Sequence, residues 1–130
     1  MYTATTRHIK ITVVPVFLTE QSDVMEQHYV WAYTIQIENE GDETVQLLNR
    51  YWRITDAQGT VLEVHGPAVI GEQPVLEPTD AFQYTSGAAL KTSSGIMAGH
   101  YEMQTAGGEL FLVEIPAFSL DSPEQVSRPN

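Results

Sequence analysis

The chain has 130 residues, no cysteine, and a formal net charge of −11 from 17 acidic and 6 basic side chains. These values predict a single domain over residues 1–130 and exclude disulfides, thiolate catalysis and cysteine zinc sites. The acidic charge opposes nucleic acid and anionic membranes, no apolar run reaches the ~18 residues of a membrane span, and the N-terminus lacks a signal-peptide pattern, so we expect a cytoplasmic protein.

Alternating apolar and polar residues predict β-strands along the whole chain. The first covers residues 8–18, where Pro15 lacks a backbone donor and therefore favours an edge position or a bulge. The other strands are predicted over residues 29–39, 44–56, 60–64, 80–85, 95–105 and 109–118. Residues 86–94 are predicted as an irregular loop and residues 119–130 as a flexible tail, which leaves a core over residues 7–118.

This pattern predicts an all-β fold of about seven or eight antiparallel strands, with no helix. An immunoglobulin-like or fibronectin type III-like sandwich is favoured, and a barrel is the alternative. Trp52 and Tyr101 lie where such sandwiches place a core tryptophan and a tyrosine corner, although both also fit as ordinary core aromatics. The absence of cysteine favours the fibronectin type III-like version.

Residues 66–71 come within one position of the dinucleotide fingerprint G-x-G-x-x-G, with Ala68 in place of the middle glycine. A dinucleotide site needs a helix after this loop, and Pro74 and Pro78 prevent one. A structural loop is therefore favoured over a phosphate site, and an anion nest of backbone N–H groups stays as the alternative.

Three further groups of residues give only weak sequence signals for a functional site, so no catalytic residue, metal or cofactor is assigned. Ser86 follows Thr85 without the elbow of a nucleophilic serine, so a role in a turn is favoured. Glu63 and His65 share a strand face, which makes them weak candidates for a metal site. Arg50 shares a face with Trp52 and places a cation near an acidic loop face.

Five segments together resemble the ApaG family: NRYWRITD at 49–56, EVHGPAVIGEQP at 63–74, FQYTSG at 82–87, GIMAGHYEM at 95–103 and IPAF at 115–118. The resemblance covers nearly the whole chain and implies a fibronectin type III-like sandwich. It also implies associations with cobalt resistance, magnesium efflux and diadenosine tetraphosphate metabolism, and similarity to interaction modules of eukaryotic F-box and polymerase-interacting proteins. The family usually has glycine where this chain has Ala68 and Thr79, and valine in place of Ile70.

The sequence thus predicts a soluble, non-enzymatic binding module with a protein partner. The alternative is a nucleotide (pyrophosphate) or divalent-cation binding protein linked to diadenosine tetraphosphate metabolism, and exposed edge strands allow a homodimer. The candidate contact residues lie on two loops and one strand: Arg50, Gly66, Gly71, Glu72, Gln73, Pro74, Tyr84, Thr85, Ser86 and Gly87.

Overall fold

The computed structural model describes residues 1–123, which form nine β-strands and one turn of 3₁₀ helix at Thr19–Gln21. The strands are β1 (Tyr2–Thr6), β2 (Ile9–Phe17), β3 (Tyr29–Asn39), β4 (Val45–Asp56), β5 (Val61–Pro67), β6 (Val75–Leu76), β7 (Ala81–Leu90), β8 (Ser94–Thr105) and β9 (Leu110–Asp121). No helix in this part of the chain is long and apolar enough to cross a membrane.

The strands form two antiparallel sheets, so the predicted two-sheet sandwich is confirmed, and the barrel is not formed. One sheet has the order β1-β2-β3-β7, and the other has the order β5-β4-β8-β9 with β6 paired to the start of β4. The sheets enclose a single apolar core, because alternate residues of each strand point inward.

The core contains the aromatic residues that the alternation places on inward faces. Trp52 is buried, and its ring meets those of Tyr33 at 5.4 Å and Phe118 at 5.9 Å between centroids. Tyr101 is also buried, but its hydroxyl meets the Tyr84 hydroxyl of the other sheet at 2.5 Å. A tyrosine corner bonds backbone instead, so Tyr101 is a core residue that joins the sheets.

The two sides of the sandwich differ in how they are closed. On one side β9 packs against β1 and β2, and Arg7 donates to both carboxylate oxygens of Glu109 at 3.0 and 3.2 Å. On the other side β7 and β5 are the outer strands of their sheets and are not paired with each other, and Val64 of β5 and Ser86 of β7 line one cavity between the sheets. We call this second side the open edge.

Four predicted boundaries are wrong. β5 was predicted over residues 60–64 but covers Val61–Pro67, so residues 65–67 are strand and not loop. Residues 2–6 form β1, although their small and polar side chains give no strong strand pattern. β7 continues to Leu90, so residues 86–90 are strand and not loop. β9 continues to Asp121, whose carbonyl accepts the indole N–H of Trp31 at 2.9 Å, so residues 119–121 belong to the sheet. Ser122, also in the predicted tail, is buried, and residues 124–130 lie outside the described residues.

The pairing of β2 explains how this strand can contain Pro15 inside a sheet. β1 pairs with β2 only as far as Val13, so at Pro15 the strand has a neighbour on the β3 side alone. The missing N–H therefore costs no ladder hydrogen bond on the unpaired side. The predicted edge position holds locally, even though β2 is an inner strand.

Candidate functional site

The connection from β5 to β6 lies over the open edge. We call residues 66–74 the edge loop. Val69 is 1% exposed and belongs to the core, so it anchors the loop between the sheets. The backbones of Val69 and Glu72 exchange two hydrogen bonds of 2.9 and 2.8 Å around a two-residue turn. Its central residues, Ile70 and Gly71, have φ of 43° and 80°, the signs of a type I′ turn.

Arg50 fastens the first half of the edge loop to β4. Its Nη1 donates to the carbonyl oxygens of Pro67 at 2.8 Å and Ala68 at 2.9 Å. The guanidinium lies against Gly66, where a Cβ would come within 3.0 Å of Nη1. Gly66 thus provides the space through which the arginine reaches the loop.

Gln73 fastens the second half of the loop. Its side-chain Nε2 donates to the carbonyl of Leu48 at 3.0 Å, and its own carbonyl accepts from Gln46 at 3.1 Å. Pro74 follows half-buried, whereas Glu72 is exposed. Gln73 is exposed as well, but its side chain and the carbonyl of Pro74, which accepts from the Leu47 N–H at 3.0 Å, hold the loop to β4.

A cavity of about 310 Å³ lies between the sheets at the open edge, and we call it the inter-sheet cavity. Its wall brings the edge loop together with β7, as Val69 faces Tyr84, Ser86 and Gly87 across it, with Arg50 at the side. The two candidate segments thus lie at one surface. Thr85 points to the other face of β7, where its hydroxyl meets that of Thr34 at 2.8 Å.

Three phenols lie close to this cavity, and all stay protonated at neutral pH. Burial raises the pKa of Tyr84 and holds that of Tyr101 well above its ordinary value. Burial also raises the pKa of Tyr33, an effect that its hydrogen bond with Ser86 partly opposes. Tyr33 is not among the predicted site residues, although the alternation places it on the inward face of β3.

Two of the histidines, His65 and His100, lie elsewhere, on the outer face of the five-stranded sheet. His65 and His100 flank the ring of Tyr51, with centroids 4.7 and 4.9 Å from it. The Tyr51 hydroxyl donates to Glu63 at 2.8 Å, so the weak metal candidates Glu63 and His65 both contact this tyrosine. Residues 1–123 hold no cluster of three side chains able to ligate a metal. Ser86 faces the inter-sheet cavity, so neither histidine is placed beside it as a base.

Two positions where the resemblance implies glycine adopt a left-handed backbone. Ala68 has φ of 66° and Thr79 has φ of 76°. Such φ values are unfavourable for residues with a Cβ, and more so for a β-branched residue such as threonine. Glycine would suit both positions for this reason, and this chain carries backbone strain at both places.

We expect Ala68→Gly and Thr79→Gly each to raise the free energy of unfolding by about 0.5–1 kcal/mol. Relief of the left-handed strain outweighs the extra entropy that glycine gives the unfolded chain. Urea unfolding monitored by tryptophan fluorescence measures the change. Gly71→Ala is the reciprocal control, because φ is 80° with no atom within 4 Å, and a loss of about 1 kcal/mol is expected from strain alone. Lower stability in both glycine variants would contradict the assignment of strain.

Comparisons with known proteins agree on one family. The sequence model of the ApaG domain matches residues 19–105. The chain is 61% identical to Protein ApaG of Rhodospirillum centenum over the full length of both chains, and 60% identical to Protein ApaG of Brucella anthropi over 96% of each. A crystal structure of a Bordetella pertussis protein named ApaA superimposes with a TM-score of 0.87 at 43% identity, covering 88% of this chain and 94% of that one.

Proposed function

The chain belongs to the ApaG family, and from that premise we propose that it is a non-enzymatic binding module that takes a strand of a partner protein. The partner strand pairs with the free edge of β7, beside the edge loop. Strand addition of this kind draws affinity from main-chain hydrogen bonds and specificity from alternate side chains. The composition of β7 carries the proposal.

β7 is ten residues long and contains neither a charged residue nor a proline. Proteins usually protect edge strands with such residues, because an unprotected edge pairs with other chains. The other long edges of the described sheets are protected: β5 contains Glu63 and Pro67, and β9 contains Glu114 and Pro116. β1 is short and packs beside β9. β7 therefore presents the long unprotected edge.

The turn of the edge loop adds an apolar contact beside β7. Ile70 is 58% exposed and lies at a wall of the same cavity as Gly87. An exposed β-branched residue at φ of 43° is strained, and such strain concentrates at functional sites. The net charge of −11 favours a neutral or basic partner strand and opposes a second copy of this chain.

We expect Gln83→Lys on β7 to weaken partner binding at least about tenfold, because a lysine on an edge strand opposes pairing. The probe is a phage-displayed library of random dodecapeptides, selected against the full chain, with binding measured by titration and mapped by amide hydrogen exchange. Bound peptides should protect amides of β7. Thr3→Lys is the matched control, since it adds the same side chain at an exposed position of β1. No selected peptide, or protection that avoids β7, would reject the proposal.

The loop half of the surface is tested by Glu72→Ala and Gln73→Ala. Glu72 is exposed, so replacing it should lower the affinity for the peptide and leave the thermal stability of the chain unchanged. Gln73 donates to Leu48, so its loss should lower both. Equal affinity of both variants and the parent chain would remove the edge loop from the contact surface.

The association with cobalt resistance and magnesium efflux would act through the partner on this proposal. The alternative is direct binding of a divalent cation or of a pyrophosphate. In the turn of the edge loop the amides of Val69 and Glu72 already bond each other's carbonyls, which leaves fewer donors for an anion nest. Calorimetric titration with Mg²⁺, Co²⁺ and dinucleoside polyphosphates separates the two: saturable heats would favour the alternative, and heats of dilution alone would favour the binding module.

A further inference from the structure

We infer that the inter-sheet cavity binds a carboxylate carried on a compact apolar or aromatic body, with Arg50 as its counter-ion. The inference goes beyond the proposed function, because it concerns what fills the cavity whether or not a strand pairs with β7. It rests on the charge of Arg50, the walls of the cavity and the hydroxyl groups beside them.

Arg50 is a half-buried cation without a charged partner in the described part of the chain. Its Nη1 is used by the carbonyls of Pro67 and Ala68, while Nη2 and Nε find no acceptor within residues 1–123. It makes no ion pair there, as both ion pairs of this region belong to Arg7. Buried or partly buried charges in proteins are usually paired. A guanidinium has five N–H donors and Nη1 uses two of them, so the three donors on Nη2 and Nε remain available for an anion.

The cavity wall is otherwise neutral. Trp52, Val64 and Met97 contribute apolar surface, and Tyr84 and Ser86 contribute hydroxyl groups. No acidic residue lines the cavity, although the chain as a whole is strongly acidic. A cavity of about 310 Å³ that combines apolar side chains with a few converging polar groups has the composition of a small-ligand site.

These features select a carboxylate over other charged groups. A cation would meet Arg50 without a counter-charge, and a polyphosphate would bring several negative charges against apolar walls and a single guanidinium. One planar carboxylate matches the free side of the guanidinium fork, and the hydroxyl of Ser86 can donate to it. The apolar remainder of the ligand would pack on Trp52 and Met97.

The test is calorimetric and thermal titration of the full chain with benzoate and phenylacetate. We expect saturable binding and a rise in Tm, with benzamide, the neutral counterpart of benzoate, at least about tenfold weaker, because a charge-assisted hydrogen bond is lost. The affinities of a peptide with a free C-terminal phenylalanine and of its amidated form are also compared. Tighter binding of the free acid would show that the carboxylate can come from a chain end. Binding of either acid supports the inference. Equal binding of acid and amide, or tighter binding of inorganic pyrophosphate, would overturn it.

Variants assign the binding to Arg50. Arg50→Met should lower benzoate affinity at least about tenfold, while Arg53→Met, which removes the same charge from the outer face of β4, should leave it unchanged. If Arg50→Met does not fold, Gly66→Ala tests the same point. The methyl group of the alanine displaces the Arg50 guanidinium, while the positive charge of Arg50 is retained. Unchanged benzoate affinity in folded Arg50→Met or Gly66→Ala would reject the site, while loss of peptide protection on β7 alone would reject only the proposed function.

Discussion

Gly99→Ala should lower the free energy of unfolding by about 3 kcal/mol, a large part of the stability of a domain of this size. Gly99 lies on the inner strand β8, between β4 and β9, where the pairing with β9 shifts register. A Cβ at this position would overlap the carbonyl oxygen of Tyr51 and lie 3.1 Å from the Trp52 ring. Both obstacles are held in the sheet or the core, so the strand itself has to move. Urea unfolding at neutral pH measures the loss.

Gly107→Ala is the control for the change of residue type. Gly107 lies in the exposed turn between β8 and β9, and the nearest atom to a Cβ there is 3.9 Å away. A surface change of this kind should alter stability by no more than about 0.5 kcal/mol. A Gly99→Ala variant as stable as Gly107→Ala would show that β8 can separate from β4 at this point at little cost.

The strands that the sequence predicts well are those with large apolar side chains on one face. In β3, Tyr29, Trp31 and Ile35 alternate with smaller or polar residues, and each is buried as the alternation requires. β1 escaped prediction because alanine and threonine give almost no difference between faces. Its position is fixed by pairing with β2 and by packing beside β9, which local sequence does not report.

The end of β7 was mistaken for a loop for a related reason. Ser86 and Gly87 have turn-like chemistry, and local propensity favours a loop there. In the folded chain they pair with Tyr33 and Ala32 of β3, so a long-range ladder overrides the local preference. The same error concealed the length of the free β7 edge, the feature on which the proposed function depends.

The candidate site was found only in part from the sequence. Alternation placed Arg50 on the face of Trp52, and both line the inter-sheet cavity. The burial of Val69 was not predicted, because a single apolar residue in a loop carries no period. The contact between the edge loop and β7 joins segments about fifteen residues apart in different sheets, so only the fold could bring them together.

Stability should fall steeply above about pH 10, because two phenols must stay protonated inside the core. Burial raises the pKa of Tyr84 and Tyr101 in the folded chain, whereas both titrate near pH 10 when unfolded. Above that pH the unfolded chain binds fewer protons than the folded chain, so alkali favours unfolding. The two phenols contribute fully to the free energy of unfolding below pH 10. Above it, this free energy should fall by about 1.4 kcal/mol per phenol for each pH unit.

Urea unfolding between pH 8 and about pH 11.5 tests this, with the double variant Tyr84→Phe/Tyr101→Phe as the reference. Removing both partners of the hydroxyl pair leaves no unsatisfied polar group, so stability at pH 8 should change little. The alkaline slope should become smaller by about 2.7 kcal/mol per pH unit. An unchanged slope would mean that the phenols ionise without unfolding.

Tyr84 and Arg50 line the same cavity, so a neutral Tyr84 phenol leaves Arg50 as the one charge on that wall. A phenolate formed there without unfolding would compete with any bound carboxylate for Arg50.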